Sequence, residues 1–232
     1  ELDPKLARAY RGRGMAKKRL GDTTGAIEDC SKAIELDPND LIAYLVRGST
    51  RLSLGDRSGA TEDSAKAIEL TPGEAAAYVR RGALRKLLGD NRGALEDCDT
   101  AIELNPRGVL AHIYRGAAKF ALGDSKGAIE SYARAIQLNP KSGSAYSHRG
   151  MTRIVLKNYE GAAEDFTKAI RVNPRDAHAY ASRARVRVLQ GRPKTAVLDY
   201  EQALRLNPTH PRANSMRTFI REHQGGEPSA GK

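Results

Sequence analysis

The chain has 232 residues, of which 40% are hydrophobic and 29% charged, and its formal net charge is +11. No apolar run approaches the ~18 residues that a membrane-spanning helix needs, which excludes a span of that kind. The basic excess favours acidic partners and is silent about fold.

Proline stands at Pro4, Pro38, Pro72, Pro106, Pro140, Pro174 and Pro208, always 34 residues apart. Self-similarity at a fixed period of this length signals stacked repeats around a continuous core, so length does not set the domain count. Residues 1–6, ELDPKL, read as the end of a truncated preceding repeat, and no charged start or apolar signal-peptide core opens the chain. No targeting segment is read, so the compartment stays open, with the cytoplasm as default.

In the first repeat, 7–40, helix A is expected from Ala7 to Leu20. Gly21 is placed as a left-handed stop and Asp22 as the cap of helix B, Thr23 to Leu36. Ala26, Ile27, Cys30, Ala33 and Ile34 form one helical stripe, and Pro38 ends the helix. The landmarks return at 41–74, 75–108, 109–142, 143–176 and 177–210. No useful stretch alternates with period two, so strands are not expected. Cys30 and Cys98 hold the same place two repeats apart, which argues for two small core residues and against a mutual disulfide. Gly14 lies inside helix A, where glycine costs about 1 kcal/mol relative to alanine. It recurs as Gly48, Gly82, Gly116 and Gly150, which calls for a packing reason, with Ala26 and its equivalents as the expected partners.

The fifth repeat replaces its Gly-Asp turn with Lys157-Asn158, and Asn158 can still cap; the sixth has Arg192-Pro193. A capping helix is expected over 211–223, followed by a polar, disordered tail at 224–232. The string 226–232, GEPSAGK, matches the start of a phosphate-binding loop. It lacks the preceding strand, the Ser/Thr and the helix that such a loop needs, so it is read as chance composition.

These landmarks together resemble the tetratricopeptide repeat (TPR) family. The aromatic of helix A is Tyr10, Tyr44, Tyr78, Tyr146 and Tyr180, with His112 as the exception. Two columns depart from the family pattern. Its Leu before Gly is Arg13, Arg47, Arg81, Arg115, Arg149 and Arg183, and its Tyr is Lys17, Arg51, Arg85, Lys119, Arg153 and Arg187. The resemblance implies an all-α, right-handed α-solenoid of stacked antiparallel helix pairs: six complete repeats and a C-terminal cap.

It also implies a concave surface lined by helix A, with contacts at repeat positions two, five, six, nine, twelve and thirteen. Those positions give an apolar set for a partner: Ile42, Leu45, Val46, Leu52, Val79, Leu87, Ile113, Tyr114, Phe120, Ile154 and Val155, with Leu110, Met151, Val188 and Leu189 on the same face. They also give a basic end, Arg8, Arg11, Lys18 and Arg19, with Arg80 and Lys86 further on. An apolar face of this size marks a binding surface. The expected occupant is an apolar or amphipathic protein segment with an acidic flank. Chaperone-binding relatives grip a terminal carboxylate through asparagines; here those positions hold Gly12, Val46, Tyr114, His148 and Ser182, so that mode is not expected.

Asp29, Asp63, Asp97, Asp165 and Asp199 form an acidic column on helix B, with Ser131 as its exception. Forks from the arginine column to these aspartates are the structural reading, and a basic ladder for phosphates is the functional alternative. Surface pairs are expected at Glu28–Lys32, Glu62–Lys66, Glu130–Arg134 and Glu164–Lys168. His112, His148, His178, His210 and His223 do not recur on one helix face with carboxylates at metal spacing, and no nucleophile–base set is seen. The chain therefore reads as a non-enzymatic interaction scaffold with no cofactor and no metal. Nucleic-acid binding is the disfavoured alternative, and a self-association arm of a longer protein is the other.

Overall fold

A computed structural model describes residues 4–224. The GEPSAGK string and all but the first residue of the expected tail lie outside them. Among the described residues there are thirteen helices and no strand. They form two compact units, one running to Leu122 and the other from Gly123.

The N-terminal unit contains α1 (Pro4–Arg19), α2 (Thr23–Leu36), α3 (Leu41–Ser53), α4 (Arg57–Leu70), α5 (Ala75–Leu88), α6 (Asn91–Leu104) and α7 (Val109–Ala121). The C-terminal unit contains α8 (Ser125–Leu138), α9 (Gly143–Val155), α10 (Tyr159–Val172), α11 (Ala177–Leu189), α12 (Pro193–Leu206) and the cap α13 (Ala213–Gln224). Within each unit, every helix packs on its neighbours in sequence, and some helices A of successive repeats also touch: α1 with α3, α5 with α7 and α9 with α11. This is an all-α solenoid.

Local chemistry explains the boundaries. The Asp22, Asp56, Asp90 and Asp124 side chains each accept a hydrogen bond from the glycine amide three residues on, at 2.8–2.9 Å, and Asn158 does the same at 3.0 Å. A side chain that takes up one of the first unpaired amides of a helix fixes where the helix starts. Gly21, Gly55, Gly89, Gly123 and Gly191 adopt positive φ before helices B. Lys157 takes the same left-handed conformation, φ 58°, in the repeat that lost its glycine. The sixth repeat has no side-chain cap at Arg192, and Pro193 opens α12 with its ring at a first-turn position. The first helix begins at Pro4, three residues before the expected Ala7, because proline suits a first turn as well as a stop.

The recurrent glycine of helix A has its packing reason, and its close neighbours include side chains of helix B as well as backbone. A Cβ on Gly14 would stand 2.9 Å from Cys30 Sγ and 3.2 Å from the Ala26 carbonyl oxygen. On Gly82 it would stand 3.2 Å from the Ala94 carbonyl oxygen and from Asp97 Cβ. The helices of a pair approach so closely that helix A meets the carbonyl of the expected alanine and not its methyl group. Two of the expected surface pairs are replaced: Lys32 pairs with Glu35 and Lys66 with Glu69, three residues on, instead of with Glu28 and Glu62. The cap is anchored by Met216, buried with Ala181 and Ala203, and by Phe219 edge-on to Tyr200 at 5.3 Å.

Candidate functional site

The arginine and aspartate columns meet inside each helix pair. Arg13 bonds Asp29, Arg47 bonds Asp63, Arg81 bonds Asp97, Arg149 bonds Asp165 and Arg183 bonds Asp199, with closest contacts of 2.6–2.7 Å. Each aspartate takes a second cation one turn further along helix A: Lys17, Arg51, Arg85, Arg153 and Arg187, at 2.8–3.1 Å. Each of the five column arginines also stacks over the tyrosine three residues before it. The hydrogen bond from Arg13 holds the Asp29 carboxyl below its ordinary value. Arg115 lacks an aspartate at its equivalent position and turns to Asp99 at 2.7 Å. In five of the six repeats the columns are internal ties, their cations paired to buried carboxylates. Burial pushes the thiols of Cys30 and Cys98 up to about 11 and about 12, which makes them poor nucleophiles.

The predicted partner face is sorted by packing. Ile42, Leu87, Phe120 and Val155 are exposed, as is Leu110 at 58%. Leu45, Val46, Leu52, Val79, Tyr114 and Ile154 are half-buried. Ile113 is a correction: α7 packs against both α5 and α6, and Ile113 lies on the packed side at 4% exposure, with no surface left for a partner. At the basic end Arg8, Arg19 and Arg80 are exposed. Arg11 is committed to Asp40, with 3.0 and 2.9 Å to its two oxygens, so it is not a free cation. Lys18 donates to Ser49 Oγ, and burial followed by the charge of Arg80 lowers its pKa. Lys86 is half-buried.

In the N-terminal unit α5 and α7 enclose a cavity of about 350 Å³, walled by Ala75, Ala76, Val79, Val109 and Leu110, with Arg80 at its side. In the C-terminal unit α9 and α11 enclose one of about 580 Å³ that includes His148, His178 and Arg212. Sequence reading placed His148 and Ser182 on the contact face but did not join them to His178 and Arg212. His148 and His178 occupy positions six and two of successive repeats, both on the expected contact face, and that shared face was the available signal. Among the described residues no set of three or more His, Cys, Asp or Glu is placed to hold a metal, and no helix is long and apolar enough to cross a membrane.

Two family models, both described as tetratricopeptide repeat, match this chain, one at residues 7–40 and the other at 88–143 and 149–211. Among solved structures, MamA is 27% identical, with 71% of this chain and 96% of that chain covered and a TM-score of 0.62. PilW, a type IV pilus biogenesis factor, is 18% identical, with 91% and 98% covered and a TM-score of 0.81. The Cut9–Hcn1 hetero-tetramer of the APC/C is 20% identical, with a TM-score of 0.79; 93% of this chain is covered but only 43% of that one. The last two show a shared fold alone. No curated protein matches. With one repeat model covering more than half of its length, and caps, turns and helix pairs in phase, the chain belongs to the tetratricopeptide repeat family.

Proposed function

We propose that this protein is an interaction scaffold, and that the N-terminal unit binds an apolar or amphipathic segment of a protein partner across its helices A. The observation that carries this reading is the cavity between α5 and α7. Val79, Val109 and Leu110 leave apolar surface open to solvent there, and Arg80 stands beside it. A large apolar residue that is 58% exposed, as Leu110 is, next to such a hollow suits a buried aliphatic anchor. Arg80 and the nearby Lys18 favour acidic residues flanking that anchor. The Cut9–Hcn1 structure is an assembly of a similar solenoid with another protein, in keeping with this role. The paired columns weigh against nucleic acid, because their cations are already engaged inside the fold.

The test uses a labelled amphipathic peptide with leucines at i, i+3, i+4 and i+7 and a glutamate flank, followed by fluorescence anisotropy. Val79→Asp combined with Leu110→Asp should weaken binding at least about ten-fold, the worth of one lost aliphatic anchor, with an unchanged helical circular dichroism spectrum. Undiminished binding by the double variant rejects the groove. Concentration-dependent dimerisation abolished by the same variant would assign the patch to a second copy of the chain.

A further inference from the structure

We infer that the C-terminal unit holds a second recognition site, the pocket of about 580 Å³ between α9 and α11, and that it receives an acidic side chain of a partner segment. This does not rest on the N-terminal groove, which lies in the other unit.

The chemistry follows from a chain of hydrogen bonds. His210 is buried at 3% exposure, and its Nδ1 accepts the backbone N–H of Arg212 at 3.1 Å. An amide can only donate, so the proton of the neutral His210 ring sits on Nε2. That nitrogen faces His178 Nδ1 at 2.9 Å and donates to it. His178 in turn carries its own proton on Nε2, and its exposed ring lines the pocket. The relay therefore delivers a hydrogen-bond donor of fixed tautomer to the site.

A cation beside this donor points to an anion. Arg212 lines the pocket and makes no ion pair among the described residues. Ser147 Oγ lies beneath the pocket wall with no hydrogen-bond partner among the described residues. The carboxylate already present, Asp176, also lines the pocket, and the fold takes up part of its charge. Its Oδ1 accepts the amides of His178 and Ala179 at 3.0 and 3.1 Å, at the positive end of α11. His148 donates from Nδ1 to the Ser144 carbonyl at 2.8 Å and leans on Tyr132 of α8, with ring centres 5.6 Å apart. The pocket's cation is the guanidinium of Arg212, and a guanidinium beside an N–H donor matches a carboxylate.

Met151, Phe166 and Val172 supply an apolar wall for the methylenes of the incoming side chain. Ser144, His148, Met151 and His178 are exposed around the mouth, so a chain can cross it and leave on both sides. This favours an internal glutamate over a chain end.

The experiment uses the full chain and three probes: acetyl-Ala-Leu-Glu-Leu-Ala-amide, its Gln counterpart, and a Gln peptide with a free C-terminal carboxylate. Binding is read by isothermal titration and by the histidine ring signals in NMR. The Glu peptide should bind about ten-fold tighter than the Gln peptide, the worth of a hydrogen bond to a charged group, and should move the ring signals of His178. Arg212→Gln and His178→Ala, both at exposed positions, should each reduce that preference to near unity while circular dichroism stays unchanged. Val79→Asp with Leu110→Asp should leave it intact, which separates this site from the N-terminal groove. Equal affinities for the Glu and Gln peptides, no binding at about 5 mM, or a preference untouched by Arg212→Gln would overturn the assignment. So would tighter binding of the free-carboxylate peptide, which would reassign the pocket to a chain terminus.

Discussion

Removing Asp63 is the sharpest test of what ties the helix pairs together. Its carboxylate is 2% exposed and accepts from Arg47 at 2.6 Å and Arg51 at 3.0 Å. Asp63→Ala leaves two guanidinium groups without their counter-ion in a partly buried site, and breaking a fully buried pair from one side costs about 3–5 kcal/mol. The arginine side chains remain 15% and 23% exposed, so water screens part of that loss. Arg47 keeps Ser31 Oγ at 3.1 Å, and Arg51 keeps the Gly59 carbonyl at 3.2 Å. The expected loss is about 2–3 kcal/mol after this discount. It is measured by urea unfolding, with amide exchange in α3 and α4 as the local readout. Asp29→Ala should cost less, because Arg13 is 59% exposed and solvent already shares its charge. Replacing Arg47, Arg51 and Asp63 together with apolar residues of similar volume should recover most of the loss, since no charge is then stranded. A loss for Asp63→Ala below about 1 kcal/mol, or one no larger than that of Asp29→Ala, would refute the reasoning.

Glycines at two kinds of position in helix A should respond with opposite signs. Gly12→Ala meets nothing within 4 Å and should stabilise by up to about 1 kcal/mol, whereas Gly82→Ala would set a methyl 3.2 Å from the Ala94 carbonyl and should destabilise; thermal melts of the two variants decide. Cys98, its thiol pushed up to about 12 by burial, should resist a thiol-specific disulfide reagent at pH 8 until denaturant is added, and rapid native labelling would contradict its burial. Burial, then His178 and Arg212, lowers the pKa of His210 from its ordinary 6.5. As pH falls below 6.5 the unfolded chain binds the proton first, so stability should drop between pH 7 and pH 5. His210→Gln should flatten that slope in urea titrations, and an unchanged slope would show that other groups carry it.

Some of this was legible because it is local. The 34-residue period, the Gly-Asp turns and the proline stops act within a few residues, so Asp22, Asp56 and Asp90 could be placed as caps from spacing alone. The pairing of the arginine and aspartate columns was also readable, because the same sixteen-residue offset recurs in every pair that forms. The partner face was not legible residue by residue. Ile113 and Leu110 both occupy contact positions of α7, yet one is buried and the other open. Arg11 was placed at a basic end for a partner, but Asp40 comes within 2.9 Å of it across 29 residues. The histidine relay spans 32 residues and joins the end of one repeat to the start of its first helix.

The sequence by itself determined the helices, their ends and their repetition, since those follow from helical periodicity and from hydrogen bonds to near neighbours along the chain. Which charges cancel, which leucines stay open to water and which imidazoles gather at one hollow was decided only in the tertiary structure. Exposure and charge pairing depend on residues brought together from distant turns, and no spacing along one helix specifies them.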